Sequence, residues 1–191
     1  MTRPAWHSIV GTWSGTDRVW FEPSAPVNES PIDTVVRPTL GGRGVVVESR
    51  WTMGDEEQFT TLVLVADTER PTVRGALIGT FHTDGTVMVL SPVEPEEGIT
   101  GSGALAAAAA APPAAAPSAP GPPVADAALL VEARGSYEAD GEMWGWHVVL
   151  RLPDHDHLIV EAYNVEPSGA AALGVRSDHV RVVDPHDEVA V

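Results

Sequence analysis

Apolar and polar side chains alternate with a period of two along most of this chain, and the helical period is nearly absent. Alternation of that kind sends successive side chains to opposite faces of a strand, and turn-forming residues recur between the alternating stretches. The pattern predicts strands over residues 11–21, 33–40, 45–53, 59–66, 73–82 and 87–93, and again over 129–137, 143–152, 157–165 and 171–183. Gly41-Gly42-Arg43-Gly44 reads as a tight hairpin, because adjacent glycines supply the positive φ angles such turns need. Thr83-Asp84-Gly85-Thr86, Ala139-Asp140-Gly141 and Pro167-Ser168-Gly169 read as further turns. About ten strands joined mostly by short hairpins is close to the number at which an antiparallel sheet closes on itself. The expected fold class is therefore all-β, a single antiparallel up-and-down barrel. The apolar lead over residues 5–10 is expected to form a short helical turn that plugs one end. Trp13 then lies on the barrel floor, where the flanking Gly11 and Gly15 let the backbone bend and a bulky ring pack against it.

Residues 94–127 break the pattern, being Glu, Gly, Ala and Pro with hardly a large side chain. Such a segment cannot bury enough apolar area to offset the entropy of ordering it. It is expected to be a disordered insertion between two strands of one barrel domain spanning 1–191. A division into two domains fits less well, because neither side alone has a full strand set.

The formal net charge is −16, from 11 basic and 27 acidic residues, and every basic residue is Arg. That balance repels phosphate backbones and anionic headgroups, which argues against nucleic acid and membrane surfaces as partners. There is no cysteine, hence no disulfide framework, thiolate metal site or cysteine nucleophile. No apolar run has the composition of a membrane span and the first residues lack a signal-peptide core, so a soluble cytoplasmic protein is the default expectation. A homodimer is compatible with the sequence.

Laid out in this order, the chain resembles a calycin-type barrel and, more narrowly, an uncharacterised bacterial family of single-domain proteins of that fold. The features that carry the resemblance are Gly11-Thr12-Trp13-Ser14-Gly15 in the first strand, Leu40-Gly41-Gly42-Arg43 at the first hairpin, and Gly79-Thr80-Phe81-His82-Thr83-Asp84-Gly85. Glu161-Ala162-Tyr163, Pro167-Ser168-Gly169 and Arg181 on the last strand complete the pattern. More distantly the chain is similar to lipocalin, fatty-acid-binding and nitrobindin-type barrels. The resemblance implies that Arg181 packs across Trp13; it supplies a fold and not a reaction.

Candidate chemistry follows from strand parity. His179 shares the parity of Ser177 and Arg181, so an inward Arg181 implies an inward His179. Three roles are open to it: proton donor, haem ligand, or a histidine bonded to a core carbonyl, the last being commonest. The nitrobindin-type likeness raises haem, but the rest of that signature is missing here, and no cofactor is implied. Asp17 has the parity of Trp13, and a buried carboxylate needs a partner such as Arg or Tyr. Trp144, Trp146, Val148 and Leu150 are expected to face the core, with His147 at the surface or the barrel mouth. Asp154-His155-Asp156-His157 reads as a solvated turn rather than a metal site, since two ligands do not make one. No phosphate loop, dinucleotide fingerprint or nucleophile elbow is present. The leading functional reading is a barrel that holds a small, partly apolar ligand, with Trp13, Asp17, Trp51, Trp146, Tyr163, His179 and Arg181 as wall candidates. The alternatives are a structural or interaction barrel with a filled interior and, behind it, an isomerase or cyclase acting by confinement.

Overall fold

The computed structural model describes residues 5–21, 26–70, 72–93, 128–139 and 141–183. The expected insertion over 94–127 lies outside the described residues. Among the described residues ten strands run in order: β1 (Gly11–Val19), β2 (Asn28–Thr39), β3 (Gly44–Met53), β4 (Glu56–Ala66), β5 (Val73–Gly79), β6 (Met88–Pro92), β7 (Ala128–Ala139), β8 (Glu142–Leu152), β9 (His157–Val165) and β10 (Ala171–Arg181). Each pairs antiparallel with its sequence neighbours, and β1 pairs with β10 to close the barrel. The chain is the all-β barrel that its alternation predicts.

Local chemistry explains the strand limits. In β3 the run Val45-Val46-Val47 alternates buried, half-buried and buried, and its β-branched side chains suit a pleated surface. The hairpin before it is a 3-10 turn over Leu40–Gly42 in which Leu40, Gly41 and Gly42 all take positive φ. Gly15 answers a different demand. Any Cβ there would stand 1.9 Å from the Asp178 carbonyl oxygen, so β1 and β10 can approach only because the side chain is missing.

One end of the barrel is plugged. A 3-10 turn over Trp6–Ser8 lies across it, with Trp6, Ile9 and Trp13 in the core beneath. The Trp6 indole donates to the Arg43 carbonyl and the Trp13 indole to the Ile9 carbonyl, each at 2.9 Å. The Arg181 guanidinium sits 4.1 Å from the centre of the Trp13 ring. It also donates to the Ser8, Val10 and His155 carbonyls at 2.6–2.9 Å. The last strand thereby latches the plug, the first strand and the β8–β9 turn together.

Two bulges alter the face count. Register slips between Leu129 and Val131 in β7, and between Leu173 and Val175 in β10. Leu173 consequently packs outside, with Tyr163 and Val149, although Val175 two residues on belongs to the interior. This outer cluster covers the second face of β8, so that Trp146, His147, Val148, Val149 and Leu150 are buried in succession between it and the interior core. Among the described residues no helix is long and apolar enough to cross a membrane.

Candidate functional site

The interior is stratified from the plugged end to the opposite mouth. Above Trp13, the His179 ring is 2 % exposed and bonded at both nitrogens. Nδ1 lies 3.3 Å from the Leu158 carbonyl oxygen, which can only accept, so Nδ1 carries the hydrogen. Nε2 is then an acceptor for the Thr34 hydroxyl at 3.0 Å, and Thr34 accepts from Ser49 at 2.8 Å. Burial pushes the His179 pKa down to about 4, which keeps the ring neutral in this core chain. His179 is inward, and the core-carbonyl role is the one its contacts describe.

One layer further up, Asp17 pairs across the sheet with Ser177 and Ser30, all three buried. Burial raises the Asp17 pKa to about 6, opposed by the Ser177 hydroxyl, which donates at 2.5 Å, and by the nearby Arg18 charge. The partner is thus a hydroxyl rather than the expected Arg or Tyr: Arg18 points outward, where it binds Glu29 and Asp178. Ser177→Ala should lower stability by about 1–3 kcal/mol at pH 8 and by less at pH 5, where the carboxyl is protonated in the fold. Equal losses at the two pH values, read from urea midpoints, would show that the hydroxyl does not hold the charged form.

At the mouth the interior opens into a half-open cavity of about 210 Å³. Val19, Phe21, Phe81, His82, Met88, Tyr137, Trp146 and Asn164 contribute to its walls. The strand expected over 73–82 ends at Gly79; the chain then turns in, and that turn throws Phe81 and His82 over the opening. The Thr83 hydroxyl accepts from the Gly79 N–H at 2.9 Å, and the Gly85 N–H bonds the Gly79 carbonyl at 3.0 Å. His82 stacks on Trp51 with centroids 5.9 Å apart and lies 5.1 Å from Trp146. Phe81 meets both Trp51 and Phe21 edge to face. Burial among these rings pushes the His82 pKa down to about 4, so the imidazole is neutral at pH 7. Trp146 is 6 % exposed, and its indole N–H is buried with no hydrogen-bond partner among the described residues.

Residues 4–105, just over half of the chain, match the family described as "Protein of unknown function (DUF1579)". The chain belongs to this family. The DUF1579 match covers the plug, β1 to β6 and the turn carrying Phe81 and His82. No curated protein matches the chain. Among solved structures, it is similar to an S-type phycobiliprotein lyase from Guillardia theta, at 11 % identity and a TM-score of 0.47, over 94 % of this chain and 91 % of that one. It is also similar to a protein of unknown function from the DUF3598 family of Nostoc punctiforme. There the identity is 11 % and the TM-score 0.38, over 95 % of this chain and 51 % of that one.

The residues singled out from sequence do not form one site in this DUF1579 chain. Trp51 and Trp146 flank the mouth through His82, whereas Trp13 and Arg181 form the plugged floor. Asp17 and His179 fill the layers between. Tyr163 is a correction. Ala162 belongs to the interior core, so the next residue faces out, where the Tyr163 hydroxyl donates to Glu161 at 3.2 Å beside Arg151 and Arg176. His147 is a second correction: it is buried under the outer cluster's side of β8, not exposed, and neither ring nitrogen has a partner among the described residues. In the 154–157 turn, Asp154 accepts from the backbone N–H groups of Asp156 and His157 and from the His157 ring, so its oxygens serve the turn. His82, Phe81, Tyr137 and Asn164 had no place among the wall candidates. The signal for the first two was Gly79, which ends the ladder three residues earlier than the alternation suggests.

Proposed function

We propose that the barrel binds a small, largely apolar ligand in the mouth cavity. The observation that carries this reading is the half-open cavity of about 210 Å³ at the barrel mouth, lined by Phe21, Phe81, His82, Tyr137 and Trp146. Aromatic rings surround the same space and offer stacking and edge contacts to a flat guest. The volume suits a single ring, since an apolar cavity of about 150 Å³ already admits benzene.

A second reading, a barrel whose filled interior serves structure or interaction, rests on the His179–Thr34–Ser49 chain and the Asp17–Ser177 pair that occupy the middle layers. Ligand-observed NMR separates the two. Toluene and indole should receive saturation from the native chain. Binding should weaken at least about tenfold in Val19→Phe, whose added ring projects into the cavity. No transfer to the native chain would leave the filled barrel standing.

A further inference from the structure

Among the described residues, the barrel interior holds a negative charge with no positive one to match it. Asp17 and Val19 share the inward face of β1, so the Asp17 carboxyl lies one layer beneath the Val19 wall of the cavity, about 7 Å along the strand. Its Oδ1 accepts from Ser177, whereas its Oδ2 makes no hydrogen bond among the described residues and is not fully enclosed. At pH 7.5 the group is largely ionised, its pKa standing at about 6. The imidazoles of His82 and His179 are neutral at that pH. Arg18 lies on the opposite face of β1, tied to Glu29 and Asp178, and Arg181 is clasped at the plugged end.

The cavity above suits the missing charge. Phe21, Phe81, Tyr137 and Trp146 line it with aromatic rings, and the faces of such rings carry the negative part of the quadrupole. No charged side chain is among its described lining residues, and the net charge of −16 draws cations towards the chain as a whole. An anion there would lose its hydration and meet a buried carboxylate beneath. An uncharged guest would leave the Asp17 charge unmatched. A primary ammonium is strongly hydrated, and the rings would not replace the water it lost. An ammonium sheathed in alkyl groups gives up little water and packs against ring faces as an apolar body. Resting on the binding reading above, we infer that the ligand is a small alkylated ammonium, its cationic head seated among the mouth rings above the Asp17 carboxylate.

Choline and its carbon isostere, the dimethylbutanol in which a quaternary carbon replaces the nitrogen, test this because they share one shape and differ in charge. Both are titrated at pH 7.5 in about 0.15 M salt, which screens the acidic surface, and followed by ligand-observed NMR. Choline should bind at least about tenfold more tightly than the isostere. Asp17→Asn keeps the shape and an acceptor for Ser177 but removes the charge, so it should weaken choline about tenfold and leave the isostere unchanged. Phe81→Leu reads the ring wall independently, should the first variant fold poorly, and should cost choline at least about threefold more than the isostere. Equal affinities on the native chain, or a choline preference left intact by either folded variant, overturn the cation assignment. The binding reading then stands as long as toluene and indole still bind. If none of the four probes binds, both fall together.

Discussion

Trp13→Ala should destabilise the barrel by about 3–5 kcal/mol, the usual range for emptying a buried aromatic site. The ring is fully buried, its indole N–H is tied to the Ile9 carbonyl, and the Arg181 guanidinium lies over its face. Arg181→Lys keeps the charge but loses the planar stack and the fork that reaches the Ser8 and Val10 carbonyls together. A loss of roughly 1–3 kcal/mol is expected there, larger than stacking alone would give. The double variant should lose less than the two single losses added, because the shared contact can be removed only once. Strict additivity in urea denaturation would mean that the two side chains are not energetically coupled, and the latch described above would have no thermodynamic content.

The second large effect is an acid loss of stability between about pH 6.5 and pH 4. His82, His147 and His179 all have pKa values pushed down to about 4, in each case chiefly by burial. In that window the unfolded chain takes up protons that the folded chain refuses, so folding becomes less favourable as the pH falls. His179, the most fully enclosed of the three by its own hydrogen bonds, would alone account for roughly 3 kcal/mol at the acid end. Asp17 works the other way. Its folded pKa, raised to about 6, means that the folded chain binds the extra proton and regains stability as the pH drops through that value. Three histidines oppose one carboxyl, so the net slope is a loss. Urea midpoints from pH 7 to pH 4.5 in about 0.3 M salt, which screens the surface charge, should fall. A flat or rising midpoint would refute the neutral buried histidines.

Sequence and structure agree where period-two alternation is uninterrupted. Parity joins His179 to Arg181 and Asp17 to Trp13; Trp13, Asp17 and His179 are buried inside, Arg181 lies half-buried over the Trp13 ring at the plugged end, and the Leu40-Gly41-Gly42-Arg43 turn takes the positive φ angles its glycines permit. Parity has no zero point of its own, however. Nothing in Glu161-Ala162-Tyr163 says which member faces in, and the small Ala162 is the inward one while the large aromatic lies outside. The bulge at Gly174 makes the count unusable in β10, since Leu173 and Val175 share a parity and occupy opposite faces. His147 escaped for a related reason: an outer face is expected to be wet, and here it is covered. The mouth was hardest to read because a turn builds much of it. Phe81 and His82 reach the cavity by a change of chain direction after Gly79, where no periodicity applies.

The barrel's closure also bears on time. Nine of its ten ladders join strands that follow one another in the chain, and all of these but β6–β7 span short connections whose strands can find each other by local search. The tenth, between β1 and β10, brings together residues such as Asp17 and Ser177 that are 160 positions apart. Its loop entropy must be lost before any contact across the seam is gained, so the seam forms late along the folding route. Interactions that form late influence the rate of leaving the native state more than the rate of reaching it. The loss in Trp13→Ala should accordingly appear as faster unfolding with folding nearly unchanged. The Arg181 clasp is then a brake on opening, and it sets how long a closed barrel, with whatever its mouth holds, persists.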